Sequence, residues 1–134
     1  MFRRGLIAIA VTLVAVASLA PRARADSVSD FITRWDSNHD GTLDVAEITK
    51  AADAEFDTLD VNHDGTLDRK ELGNRVTEAE FAAADKDHDG TLNKGEYESI
   101  AATRLKAANP DGDTTIEAAE LRTPAGGHLL HLLQ

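Results

Sequence analysis

Between residues 48 and 59, Ile48, Ala51, Ala52, Phe56 and Leu59 stand at offsets 0, 3, 4, 8 and 11. These fall on one face of an α-helix. The same offsets return at Tyr97, Ile100, Ala101, Leu105 and Ala108. Each stripe predicts an amphipathic helix, and a twelve-residue helix is about 18 Å long. Between the stripes, Gly73 and Asn74 interrupt the pattern, and Thr77 to Glu80 is a capping-box signature that starts a fresh helix. Ahead of them a shorter stripe, Val28, Ile32 and Trp35, predicts an N-terminal helix with Ser27 as its cap. Beyond Leu121, the run Pro124 to Gly127 precedes Leu129, Leu130, Leu132 and Leu133, an apolar tail expected to pack on the rest. The pattern is that of an all-α protein.

One apolar run has no helical face. Arg3 and Arg4 precede Leu6 to Ala20, and Ala23, Arg24 and Ala25 follow. A positive end, a short apolar stretch and a small-x-small site make a secretory signal peptide. The run is also shorter than the roughly 20 residues that span a bilayer. Residues 1-25 are therefore expected to be cleaved before Asp26, leaving 26-134 as a single domain in the bacterial periplasm, with no membrane attachment afterwards.

The polar segments between the stripes repeat. They occupy 36-47, 60-71, 85-96 and 109-120, starting 24, 25 and 24 residues apart. In the first three the order of oxygen-bearing residues matches the EF-hand loop, which holds a hard cation with six to eight oxygens at about 2.3–2.6 Å. Positions 1, 3, 5, 7, 9 and 12 are the ligand positions, with position 7 acting through its carbonyl. In the first loop these are Asp36, Asn38, Asp40, Thr42, Asp44 and Glu47, and in the second Asp60, Asn62, Asp64, Thr66, Asp68 and Glu71. The third has Asp85, Asp87, Asp89, Thr91, Asn93 and Glu96, and the fourth Asn109, Asp111, Asp113, Thr115, Glu117 and Glu120. Gly41, Gly65 and Gly90 stand at position 6, where the chain turns sharply. The fourth loop has Thr114 there, so strain is expected at Thr114, with Gly112 absorbing part of the turn. This loop is expected to bind weakest.

Only 12 residues separate loop one from loop two, so each stripe is one shared helix with a metal loop at either end. A bend near Gly73 would then place loops two and three side by side and bring loops one and four together. The expected fold is a compact helical bundle of four closely spaced EF-hands, loops 2/3 and 1/4 paired.

Composition narrows the function. Acidic residues number 24 against 14 basic, a net charge of −10. Loss of Arg3, Arg4, Arg22 and Arg24 takes the basic count to 10 and the charge to −14. That balance disfavours nucleic acid, which is held mainly through Lys and Arg. Cysteine is absent, which excludes disulfides and thiolate metal sites. His39, His63 and His88 all occupy loop position 4 and read as turn residues, since histidine tolerates the left-handed region. No nucleophile and base form a visible constellation, so an enzyme is not expected. The alternative to a metal scavenger, buffer or sensor is a calcium-switched protein-interaction module. Such switches favour methionine-rich grooves, and Met1 is the only methionine. A monomer or weak dimer is expected, with no identified protein partner.

Four close-set hands, an export signal and the segment Lys106 to Asp111 make the chain resemble lanmodulin. Phe56 to Glu71, Arg75 to Glu80 and Pro124 to Gly126 extend the likeness. The resemblance implies a bacterial periplasmic protein whose EF-hands select lanthanide ions over calcium. The family's proline at loop position 2 is found here only at Pro110; Ser37, Val61 and Lys86 stand in the other loops. Each loop carries four carboxylates at positions 1, 3, 5, 9 and 12. At equal distance a trivalent ion gains half again the Coulomb energy of a divalent one. Up to four Ca2+ or trivalent lanthanide ions are thus the expected cofactors.

Overall fold

A computed structural model describes residues 23–134, and the side chains from Ser27 onward. Residues 1–22, the bulk of the expected signal peptide, lie outside the described residues. The first helix, α1, runs Ala23–Trp35 and contains the expected boundary before Asp26. Ser27 therefore lies inside the helix and does not cap it: the preceding Ala23, Arg24 and Ala25 are good helix formers and carry the helix further back. Val28, Phe31 and Ile32 are buried and Trp35 is half-buried against the core.

The shared helices form as their stripes require. Helix α2 spans Val45–Leu59 and buries Ile48, Ala51, Ala52 and Phe56. The next, α3, is a single turn, Arg69–Leu72, ended by Gly73 at φ 57°. Helix α4, Glu78–Ala84, starts at a complete capping box: Thr77 Oγ accepts from the Glu80 N–H, and the Glu80 carboxylate accepts from the Thr77 N–H. Helix α5, Lys94–Ala108, buries Tyr97, Ile100, Ala101, Leu105 and Ala108, and also Arg104 on the same face. After the single-turn α6, Ala118–Leu121, the tail forms α7, Pro124–Leu132, capped by Thr123. No described helix is long and apolar enough to cross a membrane.

Among the described residues, which are mostly helical, there are four two-residue strands: β1 Leu43–Asp44, β2 Thr66–Leu67, β3 Leu92–Asn93 and β4 Thr115–Ile116. Antiparallel pairing joins β1 to β4, with Leu43 opposite Ile116. It also joins β2 to β3, with Leu67 opposite Leu92. Loops 36–47 and 109–120 are thus side by side, as are 60–71 and 85–96, in the pairing the spacing predicts. All four of these inward side chains are fully buried. They belong to one apolar cluster with Phe56, Tyr97, Leu121, Leu129 and Leu132, so the loops are anchored to the core through position 8.

Candidate metal centre

The first three loops share one hydrogen-bonded scaffold. The position 1 aspartate accepts N–H groups from positions 5 and 6: Asp36 at 3.2 and 2.9 Å, Asp60 at 3.1 and 3.0 Å, Asp85 at 3.2 and 3.1 Å. Those three aspartates are buried. Asn38, Asn62 and Asp87 at position 3 accept the position 5 N–H. Asp40, Asp64 and Asp89 accept both the N–H and the hydroxyl of the threonine two residues on. Asp44, Asp68 and Asn93 cap the outgoing helices, and Glu47, Glu71 and Glu96 return a bond to the capping residue's N–H. These carboxylates are fixed by backbone donors of their own loops.

Backbone conformation allows this. His39, His63 and His88 sit at φ 59°, 57° and 57°, and Gly41, Gly65 and Gly90 at φ 83°, 80° and 82°. Two left-handed residues, at positions 4 and 6, bring successive N–H groups round to the position 1 carboxylate. Histidine serves at position 4 as a turn residue, as expected.

Electrostatics mark the third loop most plainly. Asp85, Asp87 and Asp89 each offer an oxygen, and these atoms lie within 4.8 Å of one another. Like charges this close repel unless a cation sits among them. Lost hydration and then the negative charges of Asp89 and Glu96 raise the Asp87 carboxyl. Thr91, by its N–H and then its hydroxyl, lowers that of Asp89. Thr42 does the same for Asp40, hydroxyl first, and Thr66 for Asp64, N–H first. Burial opposes the charged form of Glu47, but donors from Asp44 and Ser37 outweigh it and lower its pKa. The donor set is all oxygen, mostly anionic and held in place, which fits a hard cation of calcium size.

The fourth loop is built differently. Asn109 turns its amide inward: Nδ2 donates to the Asp113 carbonyl at 2.9 Å and the Thr115 carbonyl at 3.0 Å, while Oδ1 accepts the Gly112 N–H. An N–H donor thus meets the very carbonyl assigned to an ion by position 7. The strain expected at Thr114 is not found. Among the described residues only the three histidines are non-glycine residues at positive φ, and Gly112 takes the left-handed turn alone at φ 70°. With one such residue in place of two, the loop closes on Asn109 by a different route. Asp111 and Asp113 still follow the common pattern, and the Glu120 carboxylate accepts the Glu117 N–H.

Some contributors were not evident from the loop pattern. The N–H of Ser37 and that of Lys86, both at position 2, donate to Glu47 and Glu96 at 2.7 and 3.0 Å. Pro110 has no N–H to offer Glu120. Arg104 is the other: a charge on the buried stripe of α5, which was the signal for it.

These features define paired EF-hand-type loops. In agreement, the EF hand family model matches residues 52–76 and 77–101, segments that contain loops 60–71 and 85–96. The matches support an EF-hand protein and imply calcium-type metal binding. No curated protein matches the chain.

Proposed function

We propose that the protein is an exported, non-enzymatic metal-ion binder that buffers or scavenges ions in the periplasm through four EF-hand sites. The observation that carries this reading is the shared scaffold of the first three loops, which holds a buried aspartate at position 1 of each and, in the third, crowds Asp85, Asp87 and Asp89 together. In this reading residues 1–25 are the export signal. The ions are Ca2+ or, by the resemblance to lanmodulin and the four acids per loop, trivalent lanthanides. The fourth loop takes its ion last, because the Asn109 amide must first leave the carbonyls it occupies.

Trp35 immediately precedes Asp36 and packs against Phe31, ring centres 6.5 Å apart. Its fluorescence therefore reports filling of the first loop. Titration with calcium and with lanthanum should give saturable changes, with the lanthanum midpoint lower by about tenfold or more. Comparable midpoints would leave a calcium binder, and no response to either ion would overturn the reading.

A further inference from the structure

Helix α7 holds none of the ion ligands, yet it is gripped from several sides. Gly126, Leu129 and Leu132 face inward. The approach to α6 is so close that a Cβ on Gly126 would overlap the Glu120 carbonyl and the Leu121 backbone. The Tyr97 hydroxyl, within the core, donates to the Leu132 carbonyl at 2.6 Å, and Arg75 Nη2 donates to the Gln134 carbonyl at 2.6 Å. The last carbonyls of a helix have no intrahelical partner, so Tyr97 satisfies one that the helix cannot.

Arg104 does more. Its Nη1 donates to the His128 carbonyl of α7 at 2.6 Å. Its Nε and Nη2 grip the two oxygens of Glu80 at 2.9 and 2.8 Å, and Nη2 also reaches the Arg75 carbonyl at 2.7 Å. Glu80 lies on α4, the helix that leads into loop 85–96; Arg104 lies on α5, the helix that leaves it. One buried guanidinium therefore ties together the incoming helix, the outgoing helix and α7.

Sensor EF-hands swing those two helices apart when the ion binds and expose an apolar groove for a partner helix, whereas buffer EF-hands barely open. Here the chain's own α7 packs along α5, the outgoing helix of that hand. Leu129 and Leu132 of α7 share one core with Phe81 of α4 and with Ile100 and Leu105 of α5. Opening would break a bidentate ion pair, among the stronger hydrogen-bonded contacts in proteins, and expose the leucines.

We propose that α7 is an internal ligand of the hand around loop 85–96, locked by Arg104, which keeps that hand shut while its ion is bound. The inference rests on reading loop 85–96 as an ion site. It makes the protein a closed buffer and assigns the apolar tail to the chain's own hand, not to an outside partner.

The test pairs calorimetric calcium titration with fluorescence of the apolar dye ANS, on the wild-type protein and on Arg104→Gln. In the wild type, calcium should evolve heat while dye fluorescence does not rise. In Arg104→Gln with saturating calcium, dye fluorescence should exceed the wild-type value by about threefold or more, and amide exchange in residues 124–132 should quicken about tenfold. Heat with a bright dye signal in the wild type overturns this inference alone. So does an Arg104→Gln protein as dark and as protected as the wild type. Absence of heat overturns the ion-site reading and this one with it. Should Arg104→Gln fail to fold, Glu80→Gln decides by the same readings, since its amide keeps one oxygen for Arg104.

Discussion

Replacing Glu80 by glutamine removes one charge from the Arg104 clasp and changes little else in shape. Arg104's hydrogen bonds, set against the cost of partial burial, hold the Glu80 carboxyl at about 2, against an ordinary 4.5. At about 1.4 kcal/mol per pKa unit the full shift is worth about 3 kcal/mol. The Glu80 side chain is 31% exposed, so solvent screening reduces this to about 2 kcal/mol. A carboxyl with a depressed folded pKa stabilises fully above its unfolded value and loses that contribution as pH falls through the folded value. The wild type should therefore exceed Glu80→Gln by about 2 kcal/mol at pH 7, with the gap cut by more than half near pH 3. Urea unfolding in saturating calcium, followed by far-ultraviolet circular dichroism on both proteins at each pH, measures it. Ion release on acidification is common to both and cancels in the difference. A gap of equal size at pH 6 and pH 3, or none at pH 7, would refute the reasoning.

Four further outcomes follow from the geometry. Gly126→Ala should destabilise the protein by about 2 kcal/mol or more in the same unfolding assay, because the new methyl meets backbone that cannot move aside. Tyr97→Phe should cost about 1–2 kcal/mol, since the buried Leu132 carbonyl loses its donor; an unchanged urea midpoint would contradict this. Asn109→Asp should strengthen the weakest calcium site about tenfold in calorimetry, by replacing an inward amide with the carboxylate the other loops use. Chelation should lower the helical dichroism signal, because crowded carboxylates such as Asp85, Asp87 and Asp89 repel without a cation.

The loops and their pairing were legible because each rests on local rules. The offsets at Ile48 to Leu59 and at Tyr97 to Ala108 fixed two helices too short to hide a linker. Gly73 and the Thr77 capping box then left one way to fold them. Thr114 departs from the expectation because the turn does not need positive φ at position 6 when the Asn109 side-chain amide closes it. The Ser27 cap failed for a different reason: cap preference is weak where helix-forming residues precede it, as Ala23 to Ala25 do. Phe31, one position before Ile32 of the N-terminal stripe, is buried with it and with Val28. Arg104 could have been suspected from its place on an apolar face, but its partners could not. Glu80, His128 and Arg75 lie 24, 24 and 29 residues away, beyond the reach of periodicity.

The two strand pairings are nested, and nesting sets an order of assembly. Leu67 meets Leu92 within one compact stretch of chain, so that ladder can zip as soon as its hairpin of helices exists. Leu43 must wait for Ile116, much further along the chain, before its own ladder can close. A polypeptide threading out from its N-terminus would complete the central duo early. It would leave its first loop without a mate until residues 115–116 arrive.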